Sequence, residues 1–188
     1  IDTTKAGASN NNQFQFTGAQ GQYDVDAVQN DVIVQSYTGL VDEQTITLPS
    51  AGIYQVRVHP TGTNPFNIIE FKDTNDKLKL LSIDNWGDIV WSNFAFAFQG
   101  CSNMIGNFTG APNLSNVTNM ISMFRDTPFN QDIGNWNVSN VTDMRLMFYK
   151  TPFNQDIGSW NVSNVTNMKN MFYKTPFNQD IGSWNVSN

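Results

Sequence analysis

From about residue 77 onward, apolar and polar positions recur with a fixed period. Residues 129–152 read FNQDIGNWNVSNVTDMRLMFYKTP, residues 153–176 read FNQDIGSWNVSNVTNMKNMFYKTP, and the series restarts at Phe177 as FNQDIGSWNVSN. The period is 24 residues; residues 115–128 are the second half of an earlier copy, and residues 91–101 are a degenerate one shifted by 26. Periods of this length indicate stacked supersecondary units. Within one copy, Ile157-Gly-Ser-Trp160-Asn-Val162 has L-x-x-L-x-L spacing and ends in apolar–polar alternation, which predicts a short strand. Ser163, Asn164 and Thr166 are helix-capping types, and Met168, Met171 and Phe172 stand at i, i+3 and i+4, which predicts a helix of two to three turns ended by Thr175-Pro176. A strand–turn–helix–turn unit cannot bury its own apolar face, so copies are expected to stack as a solenoid with parallel strands about 4.8 Å apart.

Identical residues then form ladders: Phe129, Phe153 and Phe177; Ile133, Ile157 and Ile181; Trp136, Trp160 and Trp184; Phe124, Phe148 and Phe172. They are expected in the core, with an exposed sugar-stacking strip as the alternative for tryptophan. Residues 1–76 have a different rhythm. Short alternating runs at Gln22–Asp26, Asp31–Val34, Gln44–Leu48 and Ile53–Val58 are separated by Gly and Pro turn signals, which predicts a small β-sandwich. Leu78-x-x-Leu81-x-Ile83 reads as the first repeat strand, so no flexible linker intervenes and the sandwich would cap the stack. The expected class is α+β: a sandwich over residues 1–76, then a leucine-rich-repeat-like α/β solenoid with a parallel sheet over residues 77–188.

Composition narrows the function. Ten basic against sixteen acidic residues give a net charge of −6, which argues against nucleic acid. Three basic and nine acidic residues precede residue 77, and seven of each follow it, so the net charge belongs to the first part. The single Cys101 excludes an internal disulfide, and the single His59, read as a loop residue beside Pro60, leaves little for a zinc site or a His-based dyad. Repeats duplicate whatever they carry, whereas an active site needs one asymmetric constellation, so no enzyme activity is expected. No apolar run approaches a membrane span, and the first residues lack the pattern of a signal peptide. The start at Ile1 and the stop in mid-pattern at Asn188 suggest a piece of a longer or processed protein.

The units NVSNVTNMKNMFYKTPFNQDIGSW, with KLKLLSIDNWGDIVWSNFAFAFQGCSNM before them, resemble the BspA-like bacterial surface proteins. That resemblance covers residues 77–188 and implies leucine-rich-repeat-like solenoids working in adhesion or recognition, without catalysis, outside the cell or on its surface. The run from Tyr23-Asp-Val-Asp26 to Ile53-Tyr-Gln-Val-Arg-Val58 looks like a PKD-like sandwich, but Ala27-Val-Gln-Asn-Asp31 replaces that module's usual Trp-Gly-Asp-Gly turn, so an Ig-like sandwich is the broader expectation.

Three sets of residues are candidate sites. Asn135, Asn137, Ser139, Ser159, Asn161, Ser163, Ser183, Asn185 and Ser187 would point outward from the strands and form a polar concave face suited to glycans or protein loops; the alternative is an Asn ladder bonded to itself. Asp132, Asp156 and Asp180 would form a row of like charges that calcium could bridge, or would make Asx-turns to local backbone. Asp24, Asp26 and Asp31 are a second calcium candidate. No other cofactor is expected. Eight N-x-S/T sequons, at Asn107, Asn113, Asn116, Asn137, Asn140, Asn161, Asn164 and Asn185, follow the period and read mostly as its by-product. The expected partners are a protein or glycan on a cell or matrix surface. The competing reading is a spacer or filament subunit whose partners are further copies of itself, favoured by the near-identity of the last copies, which differ only at 135/159, 143/167, 145/169 and 146/170.

Overall fold

The computed structural model describes residues 1–16, 18–71 and 76–187. Alternating side chains give β1 (Gln13–Phe16), β2 (Gln22–Gln29), β3 (Val32–Val41), β4 (Gln44–Thr47) and β5 (Gln55–Pro60). β1 pairs antiparallel with β4, and a separate antiparallel sheet runs in the order β3-β2-β5. Asn30 and Asp31 both take positive φ, 51° and 61°, the conformation that a two-residue hairpin of the type I′ class requires between β2 and β3. Tyr23, Val25 and Ala27 on alternate positions of the central strand are fully buried. The Tyr23 hydroxyl donates to the Asp42 carbonyl at 2.7 Å, and burial, with Asp42 and Glu43 nearby, pushes its phenol up to about 12. Among the described residues, five strands are split between two small antiparallel sheets, fewer than the roughly seven of an Ig-type sandwich, and Phe16 of one meets Tyr23 of the other at 5.8 Å.

The larger correction concerns residues 77–188. Among the described residues there is no α-helix; the helical element is a three-residue 3₁₀ turn at Asp76–Leu78. Regular parallel pairing amounts to β6 (Ser82–Ile83) against β7 (Ile105–Gly106), with isolated parallel bridges such as Asn119 to Asp143 and Asp143 to Asn167. The α+β class, the leucine-rich-repeat solenoid and its parallel sheet are thus overturned by a structure whose regular elements are nearly all β.

The physical reason lies in where the backbone N–H groups go. Met123 and Arg125 donate within their own segment, to the carbonyls of Met120 and Ser122. The N–H groups between them leave the segment: Met120, Ser122, Phe124 and Asp126 donate to Asp143, Arg145, Met147 and Tyr149 at 2.9–3.0 Å. The next copy repeats this, with Met144, Leu146, Phe148 and Lys150 donating to Asn167, Lys169, Met171 and Tyr173. In each copy two residues four apart, 122 and 126, 146 and 150, 170 and 174, take a positive φ of 54–58°. An α-helix needs consecutive right-handed residues and keeps its bonds inside the segment, so a ribbon of turns replaces it. The spacing that suggested a helical face still brings Met144, Met147 and Phe148 to one buried side.

Side chains bind the rest of each copy to its neighbour. Trp160 and Trp184 donate their indole N–H to the carbonyls of Ile133 and Ile157, each at 3.1 Å. Phe124, Phe148 and Phe172 stack 5.9–6.0 Å apart, and Phe129, Phe153 and Phe177 stack 6.1 Å apart. The two columns touch where one copy ends and the next begins, with ring centroids 3.8–4.0 Å apart in the pairs Phe124–Phe129, Phe148–Phe153 and Phe172–Phe177. Close contact also explains a glycine: a Cβ on Gly158 would stand 2.7 Å from the carbonyl oxygen of Asp180 in the next copy. One cluster of buried side chains runs from Phe14 to Met171.

Candidate functional site

Because residues 157–162 form turns and not a strand, the nine polar residues expected on a concave sheet face occupy tight loops instead. Asn137 accepts the Ser139 N–H at 3.2 Å, and Asn161 and Asn185 accept both the N–H and the hydroxyl of Ser163 and Ser187. The Ser159 and Ser183 hydroxyls donate to the carbonyls of Gly134 and Gly158 in the preceding copy, at 3.0 and 2.7 Å. Asn135 is exposed at the position that Ser159 holds in the next copy, and Ser139 is half-buried. Two asparagines outside the nine, Asn140 and Asn164, donate to Ser115 and Ser139 of the copies before them. The set is in register, one group per copy, and much of its hydrogen-bonding capacity serves turns and stacking.

Asp132, Asp156 and Asp180 recur at the outer edge, all exposed. Each accepts the N–H of the glycine two residues on, at 2.9, 2.9 and 2.8 Å. These are Asx-turns. Asp24, Asp26 and Asp31 do not converge. Asp24 accepts the Gly39 N–H at 2.8 Å, Asp26 faces Ser36 and His59, and Asp31 belongs to the β2–β3 turn. Among the described residues, no group of three or more His, Cys, Asp and Glu is placed to hold a metal ion. His59, expected in a loop, lies on β5 with Nε2 3.1 Å from Asp26 Oδ2. The Ser36 hydroxyl donates to the same carboxylate, so the aspartate stands between serine and histidine. That order cannot relay a proton from serine to histidine. Cys101 is fully buried, and burial raises its thiol pKa far above the ordinary value, which leaves it unreactive.

Two features escaped the sequence reading. One is a fully buried ion pair, Lys79 Nζ 3.4 Å from Asp76 Oδ1. Lys79 also donates to the Ser9, Asn10 and Gln13 carbonyls at 2.9–3.0 Å, and Asp76 accepts the Ser9 and Gln15 N–H groups. The signal was Asp76-x-x-Lys79, hidden in a run read as strand. The other is the exposed face of the last copy. Phe153, Ile157 and Trp160 are at most 4% exposed, whereas Phe177, Ile181 and Trp184 are half-buried and Val186 is 65% exposed. The N–H groups of Met168, Asn170, Phe172 and Lys174 are the counterparts of those that reach the following copy elsewhere. Among the described residues they find no acceptor. Beside them Tyr149 and Tyr173 stack at 5.1 Å, with Arg125, Lys150 and Lys174 each 4.9–5.5 Å from a ring.

No described helix is long and apolar enough to cross a membrane. No curated protein and no solved structure matches the chain. The match is to a family model described as "Mycoplasma protein of unknown function, DUF285", over residues 92–188. It replaces the BspA-like resemblance, whose leucine-rich-repeat unit the copies do not build, and with that resemblance goes the basis for a surface or extracellular assignment. Since residues 92–188 are just over half of the 188, the chain belongs to the DUF285 family.

Proposed function

We propose that the protein is a non-enzymatic structural element that extends by accepting another copy of its own repeat on the exposed face of residues 168–187. One observation carries this reading. Met168, Asn170, Phe172 and Lys174 present four N–H groups at two-residue spacing, without acceptors among the described residues, beside half-buried Phe177, Ile181 and Trp184. Every earlier junction closes such a face with four carbonyls of the next copy. A row of unpaired donors beside apolar surface is a template for further pairing, and its occupant is a segment of the type VTNMKNMFYKTPFNQDIGSWNVSN, from the same chain or another.

Hydrogen exchange on this chain, and on one extended by a single added copy, tests the proposal. The amides of residues 168, 170, 172 and 174 exchange freely in the first and become protected in the second. Exchange unaltered by the extension would overturn the reading. Recognition of a protein or glycan by the Asn–Ser loops has less support, because those side chains already serve turns and stacking. Saturable binding on a glycan array or to matrix proteins, lost in a folded Asn137/Asn161/Asn185→Lys triple variant, would reverse that order.

A further inference from the structure

Charge is sorted within the repeats. Residues 92–188 carry five basic and five acidic side chains. All five basic ones, Arg125, Arg145, Lys150, Lys169 and Lys174, lie on the ribbon segments 119–126, 143–150 and 167–174, with only Asp126 and Asp143 among them. Arg125 and Lys150 share Asp126 at 3.1 and 3.8 Å, and Arg145 meets Asp143 at 2.8 Å. The ribbon side of the stack is left with three positive charges. Asp132, Asp156 and Asp180 hold the three compensating negative charges, one per copy, in the turns that follow each ribbon segment.

Neither row is neutralised within the molecule. Among the described residues, no ion pair reaches Lys169, Lys174 or any of the three aspartates, and all five are exposed. Both rows are also held by local structure. Each aspartate is fixed by its Asx-turn, and Lys150 and Lys174 stand 5.3 and 5.5 Å from the rings of Tyr149 and Tyr173, which stack on each other. Because both rows belong to the same stack and recur with its copies, they run along its sides with the same spacing. A row of like charges is repulsive by itself. The opposite row of a second stack matches it in number and stays in step with it from copy to copy.

We infer that the ribbon side is a lateral docking surface for a second copy of this chain, with Lys150, Lys169 and Lys174 of one stack facing Asp132, Asp156 and Asp180 of its neighbour. The contact is heterologous, so each member keeps one unused row and bundles grow without closing. It runs along the stack, goes beyond end-to-end extension and does not require it.

Two variants that each keep one row test the inference. Asp132/Asp156/Asp180→Asn removes the negative row, and each asparagine retains the oxygen that closes its Asx-turn. Lys150/Lys169/Lys174→Gln removes the exposed ammonium groups. Each variant is labelled and titrated with the other and with itself, followed by fluorescence anisotropy. The mixed pair should bind roughly tenfold tighter than either variant binds itself, since exposed ion pairs are individually weak and three act together. That gain should vanish at about 1 M salt, where the screening length falls to about 3 Å. End-to-end addition would strengthen mixed and self pairs alike, so the two readings fail separately. If circular dichroism finds the aspartate variant unfolded, the parent chain, which keeps the basic row, takes its place. Equal affinity of mixed and self pairs, or a gain that survives high salt, would overturn the inference. Polyaspartate bound by the aspartate variant in the absence of a mixed pair would overturn it too, and would give the ribbon side to a different acidic partner.

Discussion

Asp26 projects from β2 between two donors, the Ser36 hydroxyl at 2.6 Å and the His59 ring at 3.1 Å. The Ser36 hydrogen bond, followed by that from His59 and the charges of His59 and Arg57, holds its carboxyl below the usual carboxylate value. A carboxylate with a lowered folded pKa contributes stability that is present above its unfolded value, about 3.9, and lost as pH falls through the folded one. Asp26→Asn should therefore melt below the parent at pH 7, and the gap should close on acidification to below pH 4. A gap of constant size down to pH 3 would remove Asp26 from the account. Backbone conformation gives a second single-residue prediction. Lys150 is exposed and holds a φ of 56°, where Gly100 stands at the matching place in the degenerate copy. A left-handed non-glycine residue costs about 1–2 kcal/mol, part of which glycine's greater freedom when unfolded takes back. Lys150→Gly should raise stability by about 0.5–1 kcal/mol in a urea melt, and a loss would contradict the turn geometry. Neither His59 nor Lys150 was legible from its neighbours in sequence: the partner of the first lies 33 positions away, and the strain of the second depends on a turn that local pattern did not distinguish from a helix.

At the scale of one copy, the sequence exposed the period and the identity of the ladders but not their conformation. Met and Phe at i, i+3 and i+4 satisfy a helix, and they equally satisfy a ribbon of turns that buries every third or fourth residue. The choice is made by bonds between copies, 23 residues apart in sequence, and no local propensity reports them. The same blindness produced the concave Asn–Ser face: those residues are periodic because turns and junctions need them, with Asn161 closing its own loop and Ser159 reaching Gly134. Trp160 belongs to both kinds of contact, 4% exposed and bonded to Ile133. Trp160→Ala should cost about 3–5 kcal/mol as a core truncation. Trp160→Phe keeps most of the buried area but orphans the Ile133 carbonyl, and should cost about 1–3 kcal/mol. Equal, small losses in a denaturant melt would mean that the tryptophan column carries no load.

At the scale of the molecule, the two ends are held differently. The N-terminal loop wraps Lys79, whose ammonium is saturated by Asp76 and by the carbonyls of Ser9, Asn10 and Gln13, so that β1 is tied to the start of the repeats. Among the described residues, no comparable buried ion pair ties residues 168–187 to the copy before them. In a stack whose layers touch only their neighbours, stability sums over junctions and opening begins at the free end. Opening of residues 167–187 releases the N–H groups of Met144, Leu146 and Phe148, whose acceptors lie at 167, 169 and 171, but leaves those of Met120, Ser122 and Phe124 bonded. Native-state hydrogen exchange should therefore be faster at 144, 146 and 148 than at 120, 122 and 124. Lys79→Met leaves the Asp76 charge buried without its partner and should cost about 3–5 kcal/mol. Its effect is directional: protection falls at residues 23–27 of β2 as well as at 120–124, while exchange at 144–148, already governed by the free end, changes far less. Uniform acceleration at every amide in this variant would mean instead that the chain opens as one unit, and that the buried pair and the open face report on the same transition.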